Sequence, residues 1–294
     1  MTMSDEAKAG ADRGVPSLMS GREALALAAD WLSAGDAASG WGGPIGARSA
    51  SDYGDLTVQP RMVGGEAQAA SDLGSGPAAT DAARAGTSLD LDRAQVETCR
   101  ACRLGEGRHH PAYGEGPERP LVLVVGEGPG AEEDAQGRPF VGAAGRLLDR
   151  MLSSIGLSRD ANCYIANIVK CRPPGNREPS PDEKEACMPW LERQIDVLKP
   201  SFILAMGRTA ATALLRSEEG IGRLRGRWFE RGGIPLIATY HPSALLRDEG
   251  LKRPAWEDLK TLKFRLDDAL PGEAAAARDR VGDAPRDAVG DDGE

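Results

Sequence analysis

The residues of this chain that could do chemistry fall into two groups. The first is sulfur. Cys99 and Cys102 stand three apart in ETCRACRLGEGR, Cys171 sits in the Pro/Gly-rich run KCRPPGNREP, and Cys187 follows in PDEKEACMPW. On a helix the Cys99-x-x-Cys102 spacing puts two thiolates one turn apart, near enough to share a metal or the edge of a cluster. Four such ligands from three places suit zinc or a [4Fe–4S] cluster, and spacing does not choose between them. A redox CxxC pair is a third reading, weakened because no thioredoxin-like pattern surrounds it. Cys163, inside the apolar run CYIANIV, reads as a core residue. The second group is a set of polar residues that each follow an apolar run. Leu121–Val125 leads into Gly126-Glu127-Gly128-Pro129-Gly130, and Cys163–Val169 carries Asn167. Phe202–Met206 leads into Gly207-Arg208-Thr209, and Pro235–Thr239 into Tyr240-His241-Pro242-Ser243.

Apolar runs of four to eight residues bounded by Gly and Pro read as buried strands. The segment holding Glu132, Glu133 and Asp134 reads as a polar loop, in which Glu133 and Asp134 either assist the site or are simply solvated, followed by the lone aromatic Phe140. Gly142 opens a helical pattern with Leu147, Leu148, Met151 and Leu152 on one face. Ser180-Pro181-Asp182-Glu183 combines an N-cap, a Pro at the first helical position and a Glu at N3. It therefore starts a helix running through Cys187, Trp190, Leu191, Ile195 and Leu198. Further helices are expected from Leu89 to about Gly105, carrying Cys99 and Cys102, over Thr209–Leu215 and over Trp256–Leu266. Ile221–Trp228 reads as a basic loop with Arg223, Arg225 and Arg227. Strands alternating with helices predict an α/β fold, a three-layer sandwich whose central four-stranded parallel sheet is flanked by helices. Each polar motif falls at the carboxyl end of a strand, where ligands bind in this architecture.

Composition narrows where that fold can lie. The segment 96–266 holds all four Phe, three of the five Trp and three of the four Tyr. Residues 1–88 are expected to be a mostly disordered extension with one short helix at Arg22–Leu32, which is a spacer or a docking element. Residues 267–294 are expected to be a disordered acidic tail, leaving 89–266 as the folded domain. The formal charge of −9 conceals a split: 96–266 carries 26 Lys+Arg against 23 Asp+Glu. A mildly basic domain is compatible with a nucleic-acid partner. No stretch approaches the ~18–20 apolar residues of a membrane span, and the N-terminus lacks a secretory signal pattern. A soluble cytoplasmic protein is expected, in which clustered cysteines mean metal or catalysis before disulfides.

The combination of CRACRLGEGR, VVGEGPGAEEDAQGRPFVGAAGRLLDRML, NIVKCRPPGNREPSPDE, Cys187 and YHPS resembles the family 4 uracil-DNA glycosylases, the iron–sulfur bacterial and archaeal type. The likeness covers roughly residues 89–266. It implies that Cys99, Cys102, Cys171 and Cys187 hold a [4Fe–4S] cluster of structural purpose. It also implies a uracil-DNA glycosylase-like fold and a monomer acting on uracil-containing DNA, single- or double-stranded.

Removing uracil breaks the bond from N1 to the deoxyribose C1′ without a covalent nucleophile. The reaction needs a flipped base, stabilisation of the departing anion and a placed water. On this reading Phe140 gives the pyrimidine a face to stack on. Asn167 accepts from N3–H and donates to O4, a polarity that cytosine opposes. His241 donates to O2 as a neutral imidazole. Glu127 orients the water, Gly128 lets backbone approach the base, and Ser243 with the Arg223–Arg227 loop contacts phosphates. His109 and His110 read as surface residues. A sister group carries Gln where this chain has Gly128 and traps uracil sites covalently through a His in a basic loop. Here the KCRPPGNREPSPDE loop has no His, so turnover is expected. The competing readings are a catalytically silent iron–sulfur or zinc nucleic-acid-binding module and a nucleotide-binding Rossmann-like enzyme. The last is disfavoured because GEGPG is not GxGxxG and Pro129 blocks the helix start that would hold a pyrophosphate.

Overall fold

Four apolar runs become strands buried on both faces. In a computed structural model these are β1 (Val122–Gly126), β2 (Cys163–Asn167), β3 (Phe202–Met206) and β5 (Ile234–Thr239). The structure describes residues 88–269 together with Ala26, Ala28, Ala29, Trp31 and Leu32. The rest of the expected extension, and the tail from residue 270, lie outside the described residues. The four strands are parallel, as expected. A fifth, β4 (Trp228–Arg231), pairs antiparallel with β5, giving the order β2-β1-β3-β5-β4.

β4 corrects the reading of Ile221–Trp228 as a basic loop. Residues Ile221–Leu224 form a short helix, α7, and the strand begins at Trp228. The turn Gly232-Gly233 has φ of 57° and 83°, the left-handed pair that a two-residue hairpin requires. The opposite edge, β2, is covered in part by an antiparallel bridge between Glu115 and Ile165.

Alternation along each strand divides the core in two. On one face Val122, Val124, Ile165, Leu204 and Ile237 pack with the apolar stripe of α4 (Ala143–Ser153) and with α9 (Lys252–Ala269). Trp31, fully buried, joins this face and meets Trp256 edge-on at 6.2 Å. On the other face Leu123, Val125, Ile203 and Ala205 pack with α1 (Ser88–Thr98), α5 (Pro181–Leu198) and α6 (Arg208–Leu215). This is the three-layer sandwich that the alternating pattern requires. α5 starts as its capping box dictates, with the Glu183 carboxylate accepting from the Ser180 N–H at 2.8 Å.

Two further elements depart from expectation. α1 ends at Thr98, so Cys99 and Cys102 lie in the turn before α2 (Leu104–Gly107) and not on a helix. Gly105 explains the reversal: a Cβ there would stand 2.8 Å from the Cys99 carbonyl, so only glycine lets the chain fold back. The polar segment after Pro129 is the helix α3 (Ala131–Gln136), which begins two residues beyond the proline.

β1 lies between β2 and β3, so consecutive connections leave it in opposite directions. This is the topological switch point at which open α/β sheets bind ligands. Phe140 reaches the switch point with φ of 53°, and its carbonyl is tucked against α4 where a Cβ on Gly145 would lie 1.8 Å away. Gly145→Ala should therefore overpack backbone against backbone at a cost of about 3 kcal/mol. Thermal melting should show this as a drop of several degrees, and an unchanged midpoint would contradict the packing.

Candidate active site

A cleft of about 560 Å³ opens at the carboxyl ends of β1, β2, β3 and β5. That is the size of a small-ligand site. Glu127, Gly128, Phe140, Asn167, His241 and Ser243 all line it, so one place gathers the candidates from four separate segments.

Asn167 ends β2 directly opposite Gly126 of β1 in the parallel register. It is 1% exposed, and its Oδ1 has no hydrogen-bond partner among the described residues. A buried acceptor left open in this way is costly, and functional sites are where such costs are tolerated. Above Gly126 the space is filled by two groups: a Cβ there would meet Phe140 Cζ at 2.4 Å and Asn167 Oδ1 at 2.5 Å. The missing side chain is what lets the ring and the amide converge.

Phe140 is 6% exposed and stacks on the His241 ring, with centroids 5.4 Å apart and planes 30° apart. His241 precedes α8 (Pro242–Arg247), and its Nδ1 accepts from the Ser243 backbone N–H at 3.1 Å. The Ser243 hydroxyl is 2.9 Å from the same nitrogen. With both donors on Nδ1, the ring proton is assigned to Nε2. Burial, helped by the Arg247 cation, pushes the His241 pKa down to about 4. The imidazole is thus neutral at physiological pH and keeps one N–H to donate. Ser243 spends its hydroxyl proton on this nitrogen, which gives it a part in orienting His241.

Glu127 follows β1. One carboxylate oxygen, Oε2, accepts from the Thr209 hydroxyl at 2.5 Å. Thr209 stands in the first turn of α6 and is buried. The sequence marked the GRT motif at this strand end but gave Thr209 no role of its own. Of the neighbouring acidic residues Glu132 is exposed, as a polar loop would have it, but Glu133 and Asp134 are not. Asp134 is 2% exposed and accepts from the His109 backbone N–H at 3.0 Å and faces its Nδ1 at 2.6 Å. Glu133 accepts from three backbone N–H groups. His109 and His110 are themselves exposed, as expected.

The basic residues are rearranged relative to expectation. Arg225 is turned inward onto Asp258, with bonds at 3.0 and 2.7 Å, and Arg227 lies over Phe229. The cations that border the cleft are Arg177, Arg208 and Arg247.

On the α5 side of the sheet, Cys99, Cys102, Cys171 and Cys187 border one small cavity. Among the described residues no three His, Cys, Asp or Glu side chains converge tightly enough for a single metal ion. The donor set is entirely thiol, with Arg108 Nη1 donating to Cys171 Sγ at 3.1 Å and the Lys170 backbone N–H to Cys187 Sγ at 3.3 Å. Burial raises the Cys187 thiol to about 11 and Cys171 above its ordinary value. A bound metal group would supply the charge that favours their thiolates. Cys163 is fully buried in the core, as its apolar run suggested.

Fold and cleft together describe a small-ligand site at the switch point of an open α/β sheet. Residues 113–260 match the model of the Uracil DNA glycosylase superfamily, and the chain belongs to that superfamily. Its curated relatives place it beside the type-4 members. It is 39% identical over 188 residues to the type-4 uracil-DNA glycosylase of Saccharolobus solfataricus, covering 61% of this chain and 87% of the relative. It is 43% identical over 181 residues to that of Pyrobaculum aerophilum, covering 58% and 92%. The Thermotoga maritima enzyme is 41% identical over 181 residues, covering 60% and 93%.

The low pKa of His241 has a consequence for stability. An unfolded His takes its proton near 6.5, above the native value of about 4, so acid favours the unfolded chain across that window. The wild type should lose stability relative to His241→Asn as pH falls from about 6.5 to about 4, and should show no such difference from pH 7 to 8. Denaturant titrations of the two proteins across this range measure it. A difference that does not change with pH would refute the neutral imidazole.

Proposed function

We propose that this protein is a monofunctional uracil-DNA glycosylase that hydrolyses the N-glycosidic bond of a flipped uracil and so initiates base-excision repair of deaminated cytosine. The observation that carries the reading is the open, buried Oδ1 of Asn167 beside the Phe140 face. An acceptor in that position suits the N3–H of uracil, and the amide NH2 suits O4. Cytosine offers an acceptor at N3 and a donor at the 4-position, so the same amide would leave two buried polar groups unpaired. Mismatches of that kind are what give a hydrogen-bonding site its discrimination.

The bond to C1′ weakens as the sugar takes on oxocarbenium character and negative charge moves onto the uracil. His241 Nε2–H donates to O2 and stabilises that charge without giving up its proton. Phe140 holds the ring plane. Glu127, with one oxygen occupied by Thr209, has the other free to accept from the attacking water and direct it at C1′. Gly128 leaves the approach to the base open, and Arg177, Arg208 and Arg247 offer cations to the flanking phosphates. Single- and double-stranded DNA both suit this chemistry, since nothing in it needs the partner base.

The four cysteines fit a [4Fe–4S] cluster by their all-thiol donor set and the N–H donors aimed at two of the sulfurs. Such a cluster supplies a rigid cross-link between the segment at Cys99 and Cys102, the loop at Cys171 and helix α5. Purified protein should be brown and carry about four iron atoms per chain by colorimetric assay. Its removal should lower the melting temperature.

The decisive experiment is incubation with a uracil-containing oligonucleotide followed by alkali. Strand cleavage is expected, and Glu127→Ala, Asn167→Ala and His241→Ala should each lower kcat by about 100-fold or more. A silent iron–sulfur DNA-binding module would bind DNA, leave it intact and show no change in these variants. The absence of cleavage by cluster-loaded wild type would overturn the proposal. A denaturing gel of the same reaction should show free protein. Gly128, and a Cys171–Glu183 loop without His, both favour turnover over covalent trapping.

A further inference from the structure

Glu133 lines the cleft, and its charge is felt at His241, but its hydrogen bonds go to backbone amides and not to the groups that would meet the base. Its carboxylate instead joins the two loops that form the cleft wall. Oε2 accepts from the Gly130 N–H at 3.0 Å, closing the GEGPG turn. Oε1 accepts from the Val141 and Gly142 N–H groups, both at 2.9 Å, closing the loop that carries Phe140. Phe140 immediately precedes this pair and stands at φ of 53°, a left-handed conformation that a bulky residue holds only when its surroundings impose it. The other side of the same loop is held by Arg159, whose guanidinium donates to the Pro139 carbonyl at 3.0 Å and the Phe140 carbonyl at 2.8 Å. Phe140 is thus gripped on its carbonyl by a cation and on the following amides by an anion.

We propose that Glu133 is a positioning residue for base stacking: its carboxylate holds Phe140 in the strained conformation that presents the ring to the flipped base. The inference rests on the reading of the cleft as a uracil site. Three charge-assisted bonds to backbone amides are strong enough to hold a strained residue. No neutral side chain reproduces them, because an amide in place of the carboxylate turns an NH2 towards at least one N–H. Stacking is made equally in the ground state and the transition state, so its loss reads out as weaker substrate binding and leaves the bond-breaking step alone.

The test is steady-state kinetics on a uracil oligonucleotide for wild type, Glu133→Gln, Phe140→Ala and the double variant. Glu133→Gln should raise KM about ten-fold, the loss of about one charge-assisted bond's worth of positioning, with kcat within about three-fold of wild type. The double variant should be no worse than Phe140→Ala alone, because Glu133 acts through that ring. Glu133→Asp, which keeps the charge and loses the reach to one loop, should show the same KM pattern and serves should the Gln variant not fold. Additive effects, an unchanged KM beside a lowered melting temperature, or a fall in kcat alone would each overturn the assignment. These outcomes are separable from failure of the glycosylase reading, in which the wild type itself would leave uracil in place.

Discussion

One steric fact governs the cleft: Gly126 has no side chain. β1 and β2 run in parallel register, which sets Gly126 beside Asn167, and the Phe140 loop folds over the same point. Any Cβ at that place would overlap both the ring and the amide oxygen. The stacking face and the hydrogen-bonding edge of the proposed base site can therefore be as close as a planar base demands. His241, reaching in from the end of β5, stacks on the same ring and completes three sides of a slot. Everything else in the fold serves to hold these groups at the switch point of the sheet.

The cysteine cavity and the cleft are joined by one buried residue. Lys170 lies between Asn167 and Cys171 in sequence and is 1% exposed. Its ammonium donates to the Asn167 carbonyl at 2.9 Å and to Gln194 Oε1 at 2.6 Å, while its backbone N–H donates to Cys187 Sγ. Gln194 in turn donates to the Tyr113 carbonyl at 2.9 Å. A buried lysine needs such partners to be tolerated at all. The chain of bonds ties helix α5, the end of β2 and the sulfur-bearing loop into one unit. The cysteine cavity is thereby linked through hydrogen bonds to the strand end that carries Asn167.

Much of this was legible in the sequence, and the reasons differ by residue. The parallel strands announced themselves because burial on both faces makes a strand uniformly apolar, as in LVLVV and FILAM. Glu127, Asn167 and His241 could be found because they sit at strand ends, where topology gathers ligands. β4 was missed because its basic neighbours outweighed the Gly232-Gly233 turn, although two extended segments flanking such a pair are a hairpin signal. Glu133 and Asp134 were weighed as helpers of the site but read as solvated, for a deeper reason. A carboxylate that binds backbone amides and one that is merely solvated have the same local sequence, and only the folded chain shows which amides come within reach. The helix expected to carry Cys99 and Cys102 failed on a similar point, since the close approach of Gly105 to the Cys99 carbonyl is a tertiary contact.

The antiparallel strand at the end of the sheet has a bearing on solubility. An open row of backbone donors and acceptors at a sheet edge is a template for a second chain. Here one border is finished by a four-residue strand bearing Glu230 and Arg231, ended by a tight glycine turn. The other is met by Glu115, whose N–H and carbonyl both bond Ile165. Neither border offers a long flat run of free backbone. The sheet therefore presents little backbone to a second copy at either border, while at the carboxyl ends of its strands the buried Asn167 Oδ1 stays open to a ligand.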